Sequence, residues 1–399
     1  MSQDNNPYDG IRIEVLEGWE AVRKRPGMYI GSTGERGLHD MVFEVADRAV
    51  DEVLAGRAGR VDITLLPDDG VRVADDGPGE ADPEALLTRP HSNAGPRGRH
   101  RVTLHRMGVG PFVVNALSSR MTAEVRRGGV RREQEYARGA ALTPLTDTGP
   151  ATDSGTVITF WPDAGIFETT RFSFDSLADR FRELVLLNRD LDISLTDERH
   201  PDGVRSVRFR FPDGARELVA LFDGGGEGEH AAAAITDTVG FEAEDPRMAG
   251  TLEVALRWRD GGGERVRGFA NSYPTTGGSH ETGLREGVAA ALDAYARRRL
   301  LPAPAYPGPD AGPDAGPDGA GLTAVVSVKL DDPEFQGSTR SVLGNAAVRG
   351  CVAEAVREQL GAWLEEHPEQ AAAVVARALP GVPEPRVCEP QGFGRPGGV

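Results

Sequence analysis

The clearest periodic segment of the chain is 38–54, where apolar residues recur at the 3.6-residue spacing of an α-helix. The same spacing places four acidic residues on the opposite face, and such a stripe, taken alone, is typical of a solvated surface. These residues are Asp40, Glu44, Asp47 and Asp51. A second helix is predicted to start near Pro111, directly after Gly108-Val109-Gly110, and to run to about residue 119.

Segments rich in β-branched residues predict strands between these helices. They are 61–66, 71–74, 157–161 and 323–329. Breaks in the pattern predict the domain organisation: the glycine-rich acidic segment 223–229 is typical of a linker, and the Gly-Pro-Asp repeat of a flexible insert. We therefore expect a first domain over 1–221, a second over 222–379 with its insert at 307–321, and a disordered tail over 380–399.

Composition narrows the class of protein. A length of 399 residues favours two domains. The formal net charge of −17 argues against a general polyanion binder, so any contact with nucleic acid is expected to be local. No apolar run approaches the roughly 18 residues of a membrane span, no secretory signal is evident, and Cys351 and Cys388 provide no disulfide framework. We expect a cytoplasmic protein.

Three local features have the chemistry of a ligand site, although each is weak alone. The turn 75–79 (DDGPG) follows a short strand, where a buried carboxylate can accept a hydrogen bond from an exocyclic amine and the glycines let a ligand approach. Gly108-Val109-Gly110 opens a helix and presents free N–H groups to an anion. The basic stretch 86–107, with five arginines and three histidines, fits either a flap over an anion or a solvated loop.

In chain order, a larger set of motifs covers most of the sequence. They are AVRKRPGMYIG at 21–31, DEVLAG at 51–56, DDG at 75–77, VVNALS at 113–118, GGSH at 277–280 and VSVKLDDPEF at 326–335. Together they closely resemble the DNA gyrase B family, within the GHKL ATPase superfamily. The resemblance implies an α+β protein: a Bergerat-type α/β sandwich ATPase domain followed by a transducer domain with a ribosomal protein S5 domain 2-like fold.

The resemblance also implies ATP as the ligand and assigns roles by position. Glu44 is the general base that polarises the attacking water. Asp75, supported by Thr156, holds the adenine amino group. The remaining implied contacts are Gly77 and Gly79 in the adenine loop, Gly108, Val109 and Gly110 at the phosphates, and Tyr8 and Ile13 in an arm (1–14) that embraces a second copy in a homodimer.

The departures from the family pattern concern the same site. Arg48 stands where the family has an asparagine that coordinates Mg²⁺, and a guanidinium cannot ligate a metal. Mg²⁺ is therefore doubtful, and no metal ligand is assigned. The helical spacing allows Arg48 to pair with Glu44. Arg340 replaces the lysine that contacts the γ-phosphate, Pro78 replaces an adenine-loop arginine, and Asp40 replaces a common histidine.

The sequence carries no signature of the family's metal-binding DNA-cleavage (TOPRIM) domain. DNA cleavage is then expected to need the gyrase A protein or a separate cleavage-domain chain. Two hypotheses remain open. The chain is an ATP-hydrolysing module of a type IIA topoisomerase that dimerises on ATP, or it is a catalytically degraded paralogue that acts as a nucleotide-binding or regulatory module.

Overall fold

The computed structural model describes residues 18–90, 109–200, 203–224, 233–299, 321–337 and 341–378. The chain divides into two compact units, 1–214 and 215–399. The division falls at Gly214 rather than at the predicted residue 221, because helix Ala215–Gly224 packs against strands of the second unit. The predicted linker at 223–229 thus begins in the last turn of that helix, and its remainder lies outside the described residues.

Helices and strands alternate irregularly along the first unit. Its helices are α1 (Trp19–Lys24), α2 (Gly27–Ile30), α3 (Glu35–Leu54), α4 (Pro83–Thr88), α5 (Pro111–Ala116) and α6 (Phe174–Leu186). Its strands are β1 (Val61–Leu65), β2 (Val71–Asp75), β3 (Ser118–Arg127), β4 (Val130–Ala137), β5 (Ala140–Ala141), β6 (Thr146–Pro150), β7 (Gly155–Pro162), β8 (Ile193–Asp197) and β9 (Arg205–Phe209). The three strands predicted in this unit are all present.

These strands form one mixed sheet in the order β5-β4-β3-β7-β2-β1-β8-β9, with β6 pairing with β4. Strand β2 is antiparallel to both of its neighbours, β1 and β7, whereas β1 and β8 are parallel. The register of β2 and β7 sets Asp75 opposite Thr156. Two residues that are far apart in sequence therefore meet at one end of the central strands.

Helix α3 packs against β1 and β2 and confirms the predicted helix over 38–54. Its apolar stripe is buried as predicted: Leu38, Met41, Val42, Val45, Ala49 and Val53. The interpretation of the opposite face as solvated is wrong for Glu44, of which only 2% is exposed. The predicted second helix is shorter than expected, because α5 ends at Ala116 and Ser118 already begins β3.

The second unit has its own sheet and core. Its helices are α7 (Ala215–Gly224), α8 (Ser279–Arg298), α9 (Ala346–Glu366) and α10 (Pro368–Ala378). Its strands are β10 (Val239–Asp245), β11 (Gly250–Trp258), β12 (Arg265–Ala270), β13 (Tyr273–Pro274), β14 (Leu322–Leu330), β15 (Phe335–Gln336) and β16 (Val342–Leu343). A sheet in the order β10-β11-β14-β12-β13 contains the strand predicted at 323–329, and β12, α8 and β14 form a parallel crossover.

Both units are mixed α and β, which confirms the predicted α+β class. The predicted insert (307–321), except for its last residue Gly321, and the predicted tail (380–399) lie outside the described residues.

Helices α8 and α9 pack closely because α8 carries glycine at the contact. A Cβ atom on Gly287 would lie 2.6 Å from the Cβ of Val356 and 2.7 Å from the carbonyl oxygen of Ala353. Glycine in a helix interior costs roughly 0.5–1 kcal/mol relative to alanine. The close approach of the two helices offsets that cost.

We predict that Gly287→Ala lowers the free energy of unfolding by about 1–2 kcal/mol, because overpacking outweighs the better helix propensity. Urea unfolding measures this change. The matched control is Gly350→Ala on α9, where an added Cβ meets no heavy atom within 4 Å. That variant should instead gain about 0.5–1 kcal/mol. Equal stability of the two variants would contradict the packing argument.

The GGSH motif lies at the start of α8, where His280 is fully buried. Its Nε2 is 2.9 Å from the hydroxyl oxygen of Thr275, which also donates to the carboxylate of Glu281. Burial, followed by the charge of Arg285, lowers the pKa of His280 to about 4, and burial raises the pKa of Glu281. The imidazole is therefore neutral in the folded protein at neutral pH.

A buried neutral histidine predicts a loss of stability in acid. Below its ordinary pKa of 6.5, His280 takes a proton in the unfolded chain but not in the folded one until the pH approaches 4. Its contribution is thus fully present above pH 6.5 and falls by about 3 kcal/mol on going to pH 4. Thermal unfolding across this range should show a shallower pH dependence for His280→Gln than for the native chain. The exposed-histidine control His200→Gln should keep the native slope, and a native slope in His280→Gln would refute the assignment.

Candidate nucleotide site

Strand β2 ends in a carboxylate on its buried face. Val71, Val73 and Asp75 are buried at alternate positions, so the strand's own periodicity places Asp75 with the core residues. Its Oδ1 accepts a hydrogen bond of 3.0 Å from the backbone N–H of Gly77. A Cβ on Gly77 would lie 2.9 Å from that oxygen, which explains the glycine at this position.

Thr156 lies opposite Asp75 on β7 and is 1% exposed. Its hydroxyl oxygen accepts a hydrogen bond of 2.9 Å from the backbone N–H of Glu80. Gly79 has a φ of +79°, and a Cβ there would lie 2.5 Å from the carbonyl oxygen of Arg126. The structure thus brings together four residues that the family resemblance assigns to the base: Asp75, Gly77, Gly79 and Thr156.

The guanidinium of Arg48 is bound within this group. Its Nη1 lies 2.5 Å from Oδ2 of Asp75, and its Nη2 donates to the Thr156 hydroxyl oxygen at 2.9 Å. A longer contact of 3.4 Å joins Nε to Oε2 of Glu80. The sequence spacing allowed Arg48 to pair with Glu44, but the guanidinium pairs with Asp75 and Glu80. Glu44 instead accepts hydrogen bonds from backbone amides.

Glu44, one helical turn before Arg48, is held by the start of α5. Its Oε2 accepts a hydrogen bond of 2.6 Å from the N–H of Gly110, and its Oε1 accepts one of 3.3 Å from the N–H of Val109. These amides belong to the turn that the sequence predicts as an anion-binding element. The anion that they contact here is the carboxylate of the same chain.

Sequence reasoning missed two residues that organise this region. Glu80 directly follows the adenine-loop glycines and contacts Arg48. Arg23, within the motif 21–31, donates to the carbonyl oxygen of Ala116 and to the carboxylate of Asp163, each at 2.8 Å. It therefore ties α1 to the last residue of α5. The proximity of Glu80 to the glycine turn could have indicated its role, whereas the partners of Arg23 are distant in sequence.

Several predicted residues lie outside the described ranges: Tyr8, Ile13, Gly108 and Arg340, together with residues 91–107 of the basic stretch. Within the described ranges, no cluster of three or more His, Cys, Asp or Glu residues could hold a metal ion. In the same part of the chain, no helix has the length and apolar character to cross a membrane.

The side chains of Asp75, Thr156 and Arg48 determine which ligands the site can bind. Asp75 and Thr156 have the chemistry to accept hydrogen bonds from a base amine, but Arg48 is bound to their oxygens and the Asp75 side chain is only 1% exposed. Adenine therefore fits in the family manner only if Arg48 moves. The guanidinium has no lone pair for Mg²⁺, so the Arg48 position does not fit a metal.

Comparison with known proteins shows which family this chain resembles. A family model described as DNA gyrase B matches residues 226–380. The DNA gyrase B protein of Streptomyces coelicolor is 41% identical over 401 residues, covering 93% of this chain and 57% of that protein. The chain thus spans a little under three fifths of the length of this curated relative.

Solved structures match over both units. The 43K ATPase domain of Thermus thermophilus gyrase B, solved with an aminocoumarin, has a TM-score of 0.71 and 31% identity, covering 90% of this chain and 93% of that one. The topoisomerase IV ATP-binding domain of Francisella tularensis, in complex with a small-molecule inhibitor, has a TM-score of 0.69 and 28% identity, covering 91% and 96%. The motifs, the fold and these matches agree, and the chain belongs to the DNA gyrase B family.

Proposed function

We propose that this chain is a nucleotide-binding ATPase module of the gyrase B type, with ATP as the nucleotide that the family implies. One observation carries the proposal. Glu44 and Arg48, one turn apart on α3, connect directly to the Val109 and Gly110 amides and to the Asp75–Thr156 pair. The residues with family roles in hydrolysis and base recognition therefore share one site.

Glu44 is the residue proposed to act as general base. ATP would supply the phosphoryl group, and the chain would position a water molecule and accept its proton. The Glu44 carboxylate must first leave the amides of Val109 and Gly110 for a water molecule. The released N–H groups are then free to donate to phosphate oxygens. We expect this exchange to make hydrolysis slow.

The module is proposed to work with other chains. Nucleotide binding would bring two copies together through the N-terminal arm, and topoisomerase activity would require the gyrase A protein or a separate cleavage-domain chain. DNA contact by this chain would be local, because its net charge of −17 repels a polyanion. Nucleotide affinity would depend only weakly on Mg²⁺, because Arg48 stands where the family has a metal-coordinating asparagine and a guanidinium cannot ligate a metal.

A second candidate function is a regulatory module that binds a nucleotide or a gyrase partner without turnover. The ion pair between Arg48 and Asp75 favours it, because this contact occupies the base-recognition oxygens. A native chain that binds nucleotide but never hydrolyses it would support this candidate over the ATPase.

For the ATPase hypothesis, we predict that Glu44→Gln lowers the rate of ATP hydrolysis by at least about 100-fold, as loss of a general base should. Affinity for a non-hydrolysable ATP analogue, measured by isothermal titration with and without Mg²⁺, should be native or tighter, because neutral glutamine competes less with phosphate for the Val109 and Gly110 amides. The matched control is Glu133→Gln, which changes an exposed glutamate of β4 and should leave both quantities unchanged. Hydrolysis by Glu44→Gln at the native rate would remove Glu44 from the mechanism.

If residues 1–14 form a dimerisation arm, the oligomeric state of the chain should change when nucleotide binds. Saturation with the non-hydrolysable analogue should shift the native chain from monomer towards dimer in sedimentation velocity, because the arm would stabilise only the liganded pair. Deletion of residues 1–14 should abolish this shift. A dimer that forms equally well without nucleotide, or one that survives the deletion, would contradict the role of Tyr8 and Ile13.

A further inference from the structure

The oxygen atoms of Asp75 and Thr156, the two side chains with a family role in binding the adenine amine, already accept hydrogen bonds from this chain. Of the two Asp75 oxygens, Oδ1 accepts from the N–H of Gly77 and Oδ2 from Arg48. The Thr156 oxygen accepts from both Arg48 and the N–H of Glu80. Each Asp75 oxygen keeps a further lone pair, but the Asp75 side chain is only 1% exposed and is paired with Arg48, so an incoming amine reaches it only if Arg48 moves.

Displacing Arg48 is unfavourable because its ion pair is buried. The Arg48 side chain is 13% exposed, and that of Asp75 is 1% exposed. Separating such a pair leaves a buried charge without its partner, which typically weakens a linked binding equilibrium by roughly 100-fold or more. The penalty falls on any ligand that needs the Asp75 oxygen for itself.

The same exposures show which group a ligand would meet. Asp75 is almost inaccessible, whereas the Arg48 side chain keeps an accessible fraction. Arginine has five N–H donors and no acceptor, and its contacts with Asp75, Thr156 and Glu80 use three of them. These contacts leave one N–H of Nη1 and one N–H of Nη2 available to a ligand. The group thus offers hydrogen-bond donors where an unpaired aspartate would offer an acceptor.

We propose that Arg48 sets the base selectivity of the site, so that it favours 6-oxo purine nucleotides, those of hypoxanthine and guanine, over adenine nucleotides. This inference rests on the proposed nucleotide site. A 6-oxo purine presents a carbonyl oxygen that accepts from Arg48 and leaves the ion pair intact. Adenine presents an amine at that position, which meets a cationic donor and cannot reach the buried Asp75 oxygens while Arg48 is paired with them.

The test is equilibrium binding of ATP, GTP and ITP to the full 399-residue chain, without Mg²⁺ so that hydrolysis does not interfere. ITP is the sharpest probe, because it has the oxo group of GTP without the 2-amino group. The native chain should bind ITP and GTP at least about tenfold more tightly than ATP, a difference of roughly 1.4 kcal/mol. Arg48→Asn should reverse the order by tightening ATP and weakening ITP.

Two further variants keep the test decisive. Arg48→Gln, which also frees Asp75, should show the same reversal if the asparagine variant folds poorly. Arg132→Asn removes an exposed arginine paired with Asp147 on the same sheet and should keep the native order of affinities. Circular dichroism checks that each variant is folded.

The possible failures are distinguishable. If the native chain binds ATP as tightly as ITP and GTP, or if selectivity is unchanged in the Arg48 variants, the inference is wrong and the nucleotide site stands. If no variant binds any of the three nucleotides while all are folded, the proposed function fails, and the selectivity of Arg48 fails with it.

Discussion

The ion pair between Arg48 and Asp75 is the interaction on which the candidate site depends. It connects the middle of α3 to the end of the central strand β2 and, through Thr156, to β7. A buried carboxylate is costly unless it is paired or hydrogen-bonded, and Asp75 has both kinds of partner. Arg48 supplies the first and the N–H of Gly77 the second. The geometry of the turn at 76–80 follows from these requirements.

Helix α3 contributes both to the hydrophobic core and to the candidate site. Its apolar stripe packs on β1 and β2, while Glu44 and Arg48 leave the helix one turn apart and diverge. Glu44 reaches the amides before α5, and Arg48 reaches the strand ends. Since both side chains are tied to separate elements, the helix cannot shift along the sheet without breaking one set of contacts. The stability of the unit and the arrangement of its charged groups are therefore coupled.

The sequence predicts what is periodic and local. The helix over 38–54 follows from spacing, the strands around 71–74 and 323–329 follow from their β-branched residues, and the family motifs correctly indicate the α+β class. The length of α5 does not follow, because Ser118 is drawn into pairing with a distant strand. Likewise, the partner of Arg48 is 27 residues away in sequence, whereas the helical spacing suggested Glu44. Burial of Glu44 depends on amides more than 60 residues later, which no helix pattern contains.

An arginine and a metal ion neutralise a carboxylate site in different ways. A metal ion exchanges with solvent, so the charge of its site varies with metal supply and with the bound ligand. The guanidinium of Arg48 is covalently attached and stays protonated at any physiological pH, so the charge of Asp75 is always compensated. Its hydrogen bonds are also directional, and they fix which neighbouring atoms act as donors and which as acceptors. In the proposed nucleotide site, arginine at position 48 would therefore bear on two properties together: how the site handles phosphate charge and which base it recognises.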